Sequence, residues 1–296
     1  IGLLWFFMPN NLCAIFIEGN LARSLSMIFL PVFIYSVYKY LYNHKLRYIP
    51  LMVFTFLLME LCHLGYAGMV AIAVIIYGIV YIIQKGRKKA VLDVVISMIF
   101  GFMLLGIWLV ASLRGGITSL DNSENMANFF QNLWITINPF ERLTRGFEYF
   151  YFGFATLVVI VFGILFGYKK SRTGFVTGFI ILLMTTKSAY AVLKHLPGSQ
   201  YLWMLRFISI ALCMILMSFL MWDRLKKTLV LMLCVLLVVD TIPSLSLIVG
   251  EHNDISVQER MAARQDSTLI SSAQAVTKQR LALMDESILG ATGSWL

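Results

Sequence analysis

The chain of 296 residues is 59% hydrophobic and only 13% charged, with a mean hydropathy of +0.82, where soluble domains carry roughly a quarter charged residues. This excludes a soluble globule, and 22 Phe, 13 Tyr and 6 Trp exclude a solvated, disordered chain. The net charge of +9 would suggest nucleic acid in a soluble protein, but residues 250–296 hold four bases against six acids, and the remaining +11 lies in or beside apolar segments. Such placement signals membrane topology and no nucleic-acid partner.

Taken in order, the chain begins at Ile1 without an initiator Met or a cleavable leader and stops at Leu296 within polar sequence, so a fragment of a longer protein is expected. Residues 1–23 read as an extracytoplasmic segment entering the membrane. A span needs about 20 apolar residues for a ~30 Å hydrocarbon core, and that template fits eight times: 24–42, 48–62, 65–84, 91–112, 149–168, 174–190, 202–222 and 228–249. The expected fold class is an all-α membrane protein, a polytopic bundle of about eight transmembrane helices over 24–249 with an outer loop at 113–148. Residues 250–296 then start an extracytoplasmic soluble domain.

Residues 48–84 could form one long helix or a hairpin broken at His63-Leu64-Gly65. Basic flanks on both sides (Lys45, Arg47; Lys85, Arg87, Lys88, Lys89) favour the hairpin, which returns both to the cytoplasm. The same rule places Lys39, Lys169, Lys170, Arg172, Arg224, Lys226 and Lys227 inside, making 13 inner bases, and leaves both ends of the chain outside. Gly163-xxx-Gly167 and Gly174-xxx-Gly178 predict close approach of the fifth and sixth spans. In the outer loop, Gly115-Gly116 gives a flexible entry, 126–134 an aromatic interfacial stretch, and Asn138-Pro139-Phe140-Glu141 the start of a capped helix. Cys13, Cys62, Cys213 and Cys234 lie in apolar runs without CxxC spacing and read as small core hydrophobes.

No phosphate loop, dinucleotide glycine motif, HExxH or Cys/His zinc pattern occurs. Glu60-xx-His63 has the spacing of half a di-iron carboxylate site, but such a site needs a second copy. No metal is therefore assigned, and a divalent cation stays open as cofactor with no ligand motif visible. Cations on the outer side run against the positive-inside rule and are the better leads. Arg23 falls in the first turn of its helix, where the macrodipole disfavours it by a few tenths of a kcal/mol or more. Glu18 is its structural partner across Gly19-Asn20, and a phosphate at the helix start is the functional alternative. Arg206, seven residues after Ser199, should lie roughly 10 Å inside the membrane on the face of Trp203, either snorkelling outward or serving function. Asp240, three residues before Pro243, needs a partner; it either caps the helix broken at Pro243 or handles protons or substrate. Arg142 and Arg145 sit near Glu141 and Glu148 at surface-pairing distances. Lys187, Lys194 and His195 add charge to the outer side, and His63 reads as a turn histidine. Together these groups surround one outer anion site.

Glu18-Gly19-Asn20-Leu21-Ala22-Arg23, Leu61-Cys62-His63-Leu64-Gly65-Tyr66, Leu196-Pro197 and Gln200-Tyr201-Leu202-Trp203-Met204-Leu205-Arg206-Phe207 resemble a bacterial family, the 6-pyruvoyl-tetrahydropterin synthase-related membrane proteins. Thr277-Lys278-Gln279-Arg280 with Asp285 resembles the start of that family's outer domain. Pterin chemistry is rejected, because a three-histidine zinc site has no counterpart in the four scattered histidines. The family's architecture looks like that of the GT-C superfamily, whose members transfer sugars from polyprenyl phosphate carriers outside the membrane, with an Asp or Glu of the first outer loop as base. That carboxylate is expected upstream of this chain; within it the catalytic candidates are Glu18, Glu60 and His63.

The resemblance thus implies a GT-C-like glycosyltransferase of the bacterial inner membrane. Its partners would be membrane lipid and a polyprenyl-phosphate-linked sugar, with Arg23, Arg206, Arg142 and Arg145 holding the lipid phosphate. A transporter of lipid-linked sugar or polymer, using the same cations only to bind, and a non-catalytic assembly protein are the alternatives. The sugar, the acceptor and the oligomeric state are not set by the sequence.

Overall fold

The computed structural model describes residues 2–16, 19–114, 130–138, 150–167, 169–196, 199, 202–222 and 227–244, without the side chains of 107, 108, 111–114, 169, 227 and 228. These residues are all-α apart from one isolated bridge between Gln131 and Thr186. The helices are α1 (Gly2–Phe6), α2 (Pro9–Phe16), α3 (Leu21–Asn43), α4 (Tyr48–Cys62), α5 (Leu64–Lys85), α6 (Lys88–Arg114), α7 (Leu133–Ile137), α8 (Phe154–Phe166), α9 (Lys169–Met184), α10 (Lys187–Leu193), α11 (Phe207–Leu220) and α12 (Lys227–Val239). A 3-10 turn, Met204–Arg206, precedes α11.

Three helices, α3, α5 and Lys88–Gly106 of α6, are long and apolar enough to cross a membrane; α4, α8, α11 with its preceding turn, and Leu229–Val239 of α12 are shorter apolar helices. Helices occupy all eight segments picked out by hydropathy, with shifted ends. The sixth segment is two helices, because the chain leaves α9 at Thr185-Thr186, where Gln131 donates its amide to the Thr185 carbonyl and accepts from Lys187 N–H. The eighth stops at Val239, with residues from 245 onward outside the described set.

Local chemistry sets the boundaries. Asn20 caps α3, its Oδ1 accepting from Arg23 N at 2.9 Å, and His44 ends the helix in the left-handed region at φ 51°. His63 closes α4 and opens α5: it is extended (φ −155°, ψ 93°), and its Nδ1 accepts the Tyr66 N–H at 3.0 Å. Residues 48–85 are therefore the expected pair of helices, broken one residue before Leu64. At the far end of α5, Gly86 takes φ 70°, a left-handed cap that a side chain rarely adopts.

The core is built around α11. All its residues except Met217 and Leu220 are buried, as expected for a helix apolar on every side, and it packs on α9, α3, α5, α1 and α2. Small residues decide its closest approach. A Cβ on Gly174 would lie 1.8 Å from Ser218 Oγ, and one on Gly178 2.4 Å from Ile215 Cγ1. The Gly174-xxx-Gly178 stripe thus faces α11. α8 and α9 do touch, but Gly163 there accommodates the Phe175 ring, with a Cβ only 2.4 Å from Phe175 Cδ2. Cys13 and Cys213 are buried, Cys62 and Cys234 half-buried, and no disulfide joins any of the four.

Candidate functional site

Two of the sequence-predicted cations come together around α1, α2, α3, α5 and the start of α11. Arg23, in the first turn of α3, is completely buried. Its Nη2 donates to Asn10 Oδ1 at 3.4 Å, while Asn10 Nδ2 donates to the carbonyl of Leu205 at 3.1 Å, the residue before Arg206. One asparagine therefore links the Arg23 side chain to the Leu205 carbonyl, next to Arg206. The Arg23 guanidinium carbon also lies 5.9 Å from the centre of the Tyr66 ring.

A second path runs through hydroxyls. Ser209 Oγ donates to the Arg206 carbonyl at 2.9 Å, leaving Tyr66 to donate to Ser209 Oγ at 2.8 Å, so the chain is polarised from Tyr66 to Ser209 to Arg206. The Tyr66 hydroxyl lies within electrostatic range of both guanidinium groups. Trp5 Nε1 donates to the Ser209 carbonyl at 3.0 Å, and Asn11 Nδ2 donates to the Trp5 carbonyl. Buried amide and hydroxyl groups without partners cost about 1–3 kcal/mol each, which is why this polar set, sunk in an apolar bundle, is cross-linked so densely.

Arg206 is half-buried and its guanidinium carbon stands 4.5 Å from the centre of the Trp203 ring, an attraction of about 0.5–2 kcal/mol depending on exposure. Its position differs from the expected one: Arg206 ends the 3-10 turn and caps α11 instead of lying two turns inside a helix, because the chain from 202 to 206 is not α-helical. Both arginines thus occupy helix starts. Each such start carries roughly half a positive charge, so two helix termini and two guanidinium groups give the cluster a strongly positive potential. A potential of that sign favours an anion over a cation. Arg23 has no exposed surface, whereas Arg206 is half-buried on its tryptophan.

Of the other candidates, His63 bonds to the Tyr66 backbone, and the rest stand elsewhere on the helices or outside the described residues. Glu18, Arg142 and Arg145, with Glu141, Glu148 and the helix expected after Asn138, are outside the described residues. Glu60 is 3% exposed on α4 and sits against α6, where a Cβ on Gly101 would lie 3.7 Å from its Oε2. That oxygen has no hydrogen-bond partner among the described residues. His63 has committed Nδ1 to the helix cap, the turn role, so the Glu60–His63 spacing serves a hairpin. Lys187, Lys194 and His195 are exposed, with the Lys194 ammonium 5.7 Å from the Tyr190 ring centre. Among the described residues no group of three His, Cys, Asp or Glu could hold a metal ion.

Asp240 is completely buried and caps α8, while the chain from 245 onward, where a helix beyond Pro243 is expected, lies outside the described residues. Its carboxylate accepts from Ala155 N (3.1 Å), Thr156 N (2.6 Å), Thr156 Oγ1 (2.8 Å) and the Tyr151 hydroxyl (3.3 Å). A carboxylate at a helix start, saturated with donors, is stabilised by the macrodipole, and this geometry gives Asp240 the structural role.

Asn10, Asn11, Tyr66 and Ser209 were not singled out in the sequence. The Asn10-Asn11 pair within an otherwise apolar stretch was the available signal, since buried amides need partners; Tyr66 and Ser209 are common in membrane helices and carry none. No curated protein and no solved structure matches the chain significantly. The 6-pyruvoyl-tetrahydropterin synthase related domain, a membrane protein domain, matches residues 1–248, and the chain therefore belongs to that family of membrane proteins.

Proposed function

We propose that the chain is the membrane-embedded part of a GT-C-like glycosyltransferase that takes its sugar from a polyprenyl phosphate carrier on the outer face of the bacterial inner membrane. The observation that carries the reading is the pairing of Arg206, stacked on Trp203, with the buried Arg23 behind it at two helix starts. Arg206 binds the donor phosphate, and Arg23 supplies a fixed positive charge and orients Asn10. The acceptor hydroxyl attacks the anomeric carbon, a carboxylate base takes its proton, and the departing phosphate gains stabilisation from the cluster. Glu18 is the carboxylate nearest the cluster in sequence. Glycosyl transfer itself comes from the likeness to GT-C architecture, an analogy of fold.

The reading includes a layout of eight spans. The loops at 43–47, 85–90, 169–173 and 223–227 lie in the cytoplasm, and the Arg23–Arg206 cluster and both ends of the chain lie outside. The basic character of those four loops supports it.

The deciding experiment supplies purified full-length protein in lipid nanodiscs with a radiolabelled polyprenyl-phosphate sugar and acceptor. Release of free polyprenyl phosphate is the expected result, reduced in Arg206→Lys, which keeps the charge and loses the planar stack. In liposomes, movement of intact lipid-linked sugar between leaflets without cleavage would establish the transporter reading instead.

A further inference from the structure

Two cations and two aromatic rings meet where α3 turns into α4. The Lys39 ammonium lies 5.4 Å from the centre of the Tyr35 ring, and the Arg47 guanidinium carbon 5.0 Å from that of Tyr48. Between them the two rings stand edge to face at 6.3 Å. The Tyr48 hydroxyl accepts from Arg47 Nη2 at 3.1 Å, and the Tyr35 side chain and the Lys39 charge both act on it. No ion pair occupies Lys39 or Arg47 among the described residues. A ligand can reach the array from outside the bundle, because Arg47 is exposed, Lys39 half-buried and Tyr35 36% exposed.

Ammonium and guanidinium groups only donate hydrogen bonds, and the guanidinium has five N–H donors to give. The positive end of the α4 dipole adds to their charge. The array therefore suits an anionic acceptor, and a zwitterionic head group would press its own cation against two bases. Beside it the surface is apolar. Ile28, Val32, Tyr35 and Lys39 recur at spacings that place them on one face of α3, and Ile28 and Val32 are 62% and 42% exposed. Phe54, two turns from Arg47 on α4, is exposed as well. We infer that the α3–α4 turn binds an anionic phospholipid, its phosphate held between Lys39 and Arg47 and its acyl chains laid along Val32, Ile28 and Phe54. Lys39 lies about 24 Å along α3 from Arg23, so the site uses other cations at the other end of the helix and does not depend on the donor-phosphate reading.

The test places the full chain in phosphatidylcholine nanodiscs doped with photoreactive phosphatidylglycerol or photoreactive phosphatidylcholine of the same acyl chains, and maps the labelled peptides. Phosphatidylglycerol should label the face of Ile28, Val32 and Phe54 roughly tenfold more than phosphatidylcholine, as two bases beside a lipid surface predict. Lys39→Gln combined with Arg47→Gln should bring it down to the phosphatidylcholine level. Lys39→Arg combined with Arg47→Lys keeps both charges and should retain most of the labelling, so a loss confined to the Gln pair is a loss of charge and not of fold. Lys88→Gln combined with Lys89→Gln removes equal charge from the exposed start of α6 and should leave this face labelled as before. An equal fall in both Gln pairs would reduce the effect to diffuse attraction and overturn the site. Equal labelling by the two lipids, or loss in the pair that keeps its charges, would overturn it too. Inorganic phosphate at millimolar concentration should not compete; if it displaced the lipid, the site would belong to a free anion and the lipid assignment would fall. None of these results bears on whether Arg206 binds a phosphate.

Discussion

Gly153 and Asp240 meet so closely that a Cβ on Gly153 would lie 2.0 Å from the Asp240 carboxyl carbon. Gly153 takes φ 95°, and the carboxylate fills the space a side chain would need while receiving the first amides of α8. Gly153→Ala should therefore expel the carboxylate and strain the backbone together, costing roughly 3–5 kcal/mol. Asp240→Asn keeps the shape but turns an amide N–H towards donors, costing about 1–3 kcal/mol. Thermal unfolding in detergent should rank wild type above Asp240→Asn above Gly153→Ala; an unshifted Gly153→Ala would contradict the clamp.

Arg23 and Arg206 should separate in their effects. Arg206→Ala removes a half-exposed stack and should leave the melting temperature nearly unchanged while weakening polyprenyl phosphate binding about tenfold, equivalent to ~1.4 kcal/mol. Arg23→Ala leaves a cavity and strips Asn10 of a donor, so it should lower stability by roughly 2–4 kcal/mol. Lipid binding measured on folded protein, alongside the unfolding curve, distinguishes contact from support.

The turn at His63 can be tested by mimicry. Asn reproduces a short acceptor at a helix start and Ala does not, so His63→Asn should stay within about 0.5 kcal/mol of wild type and His63→Ala should lose about 1 kcal/mol. If the proposed transfer activity of the full-length protein fell equally in both while stability held, His63 would have a chemical task beyond the cap.

Gly174 and Gly178 set how near α9 comes to α11. Gly178→Leu must displace Ile215 or push the helices apart, and should cost roughly 2–4 kcal/mol by overpacking. Leu183→Ala, on a residue 38% exposed, should cost less than about 1 kcal/mol. Comparable losses in the two would mean that α9 and α11 do not pack through this stripe.

Single cysteines in a chain freed of the four native ones report sidedness. A thiol at position 195 should react with an impermeant reagent from outside intact cells, and one at 87 only after lysis. The reverse pattern would invert the proposed orientation.

Helix positions were legible because lipid imposes length and apolarity, and the break at His63 was legible because basic residues flank the pair on both sides. Partner choice was not. The stripe of Gly174 and Gly178 announces a close approach but carries no label for which helix approaches, and α11, not α8, fills it. Asp240 announced a need for donors through its depth, yet the donors at 155 and 156 are supplied by a turn whose geometry depends on Gly153. Arg23 and Arg206 were visible as misplaced charges. Asn10 and Tyr66, which join them, differ little from the polar residues found along any membrane helix, and only the assembled bundle shows that they share a neighbour.

The order in which the chain is made gives α11 a further significance. Trp5 and Asn10 find their acceptors 204 and 195 residues downstream, and Tyr66 waits 143 residues for Ser209. At about 5–20 residues per second, Asn10 spends roughly 10–40 s after synthesis before Leu205 exists to receive its amide. Throughout that interval the nascent protein holds buried-type amides, a guanidinium and a tyrosine hydroxyl that must be satisfied by water, by the insertion machinery or by a membrane chaperone. Translation that stalls before residue 209 leaves a polypeptide with these groups uncovered, the kind of signal a membrane quality-control protease can read.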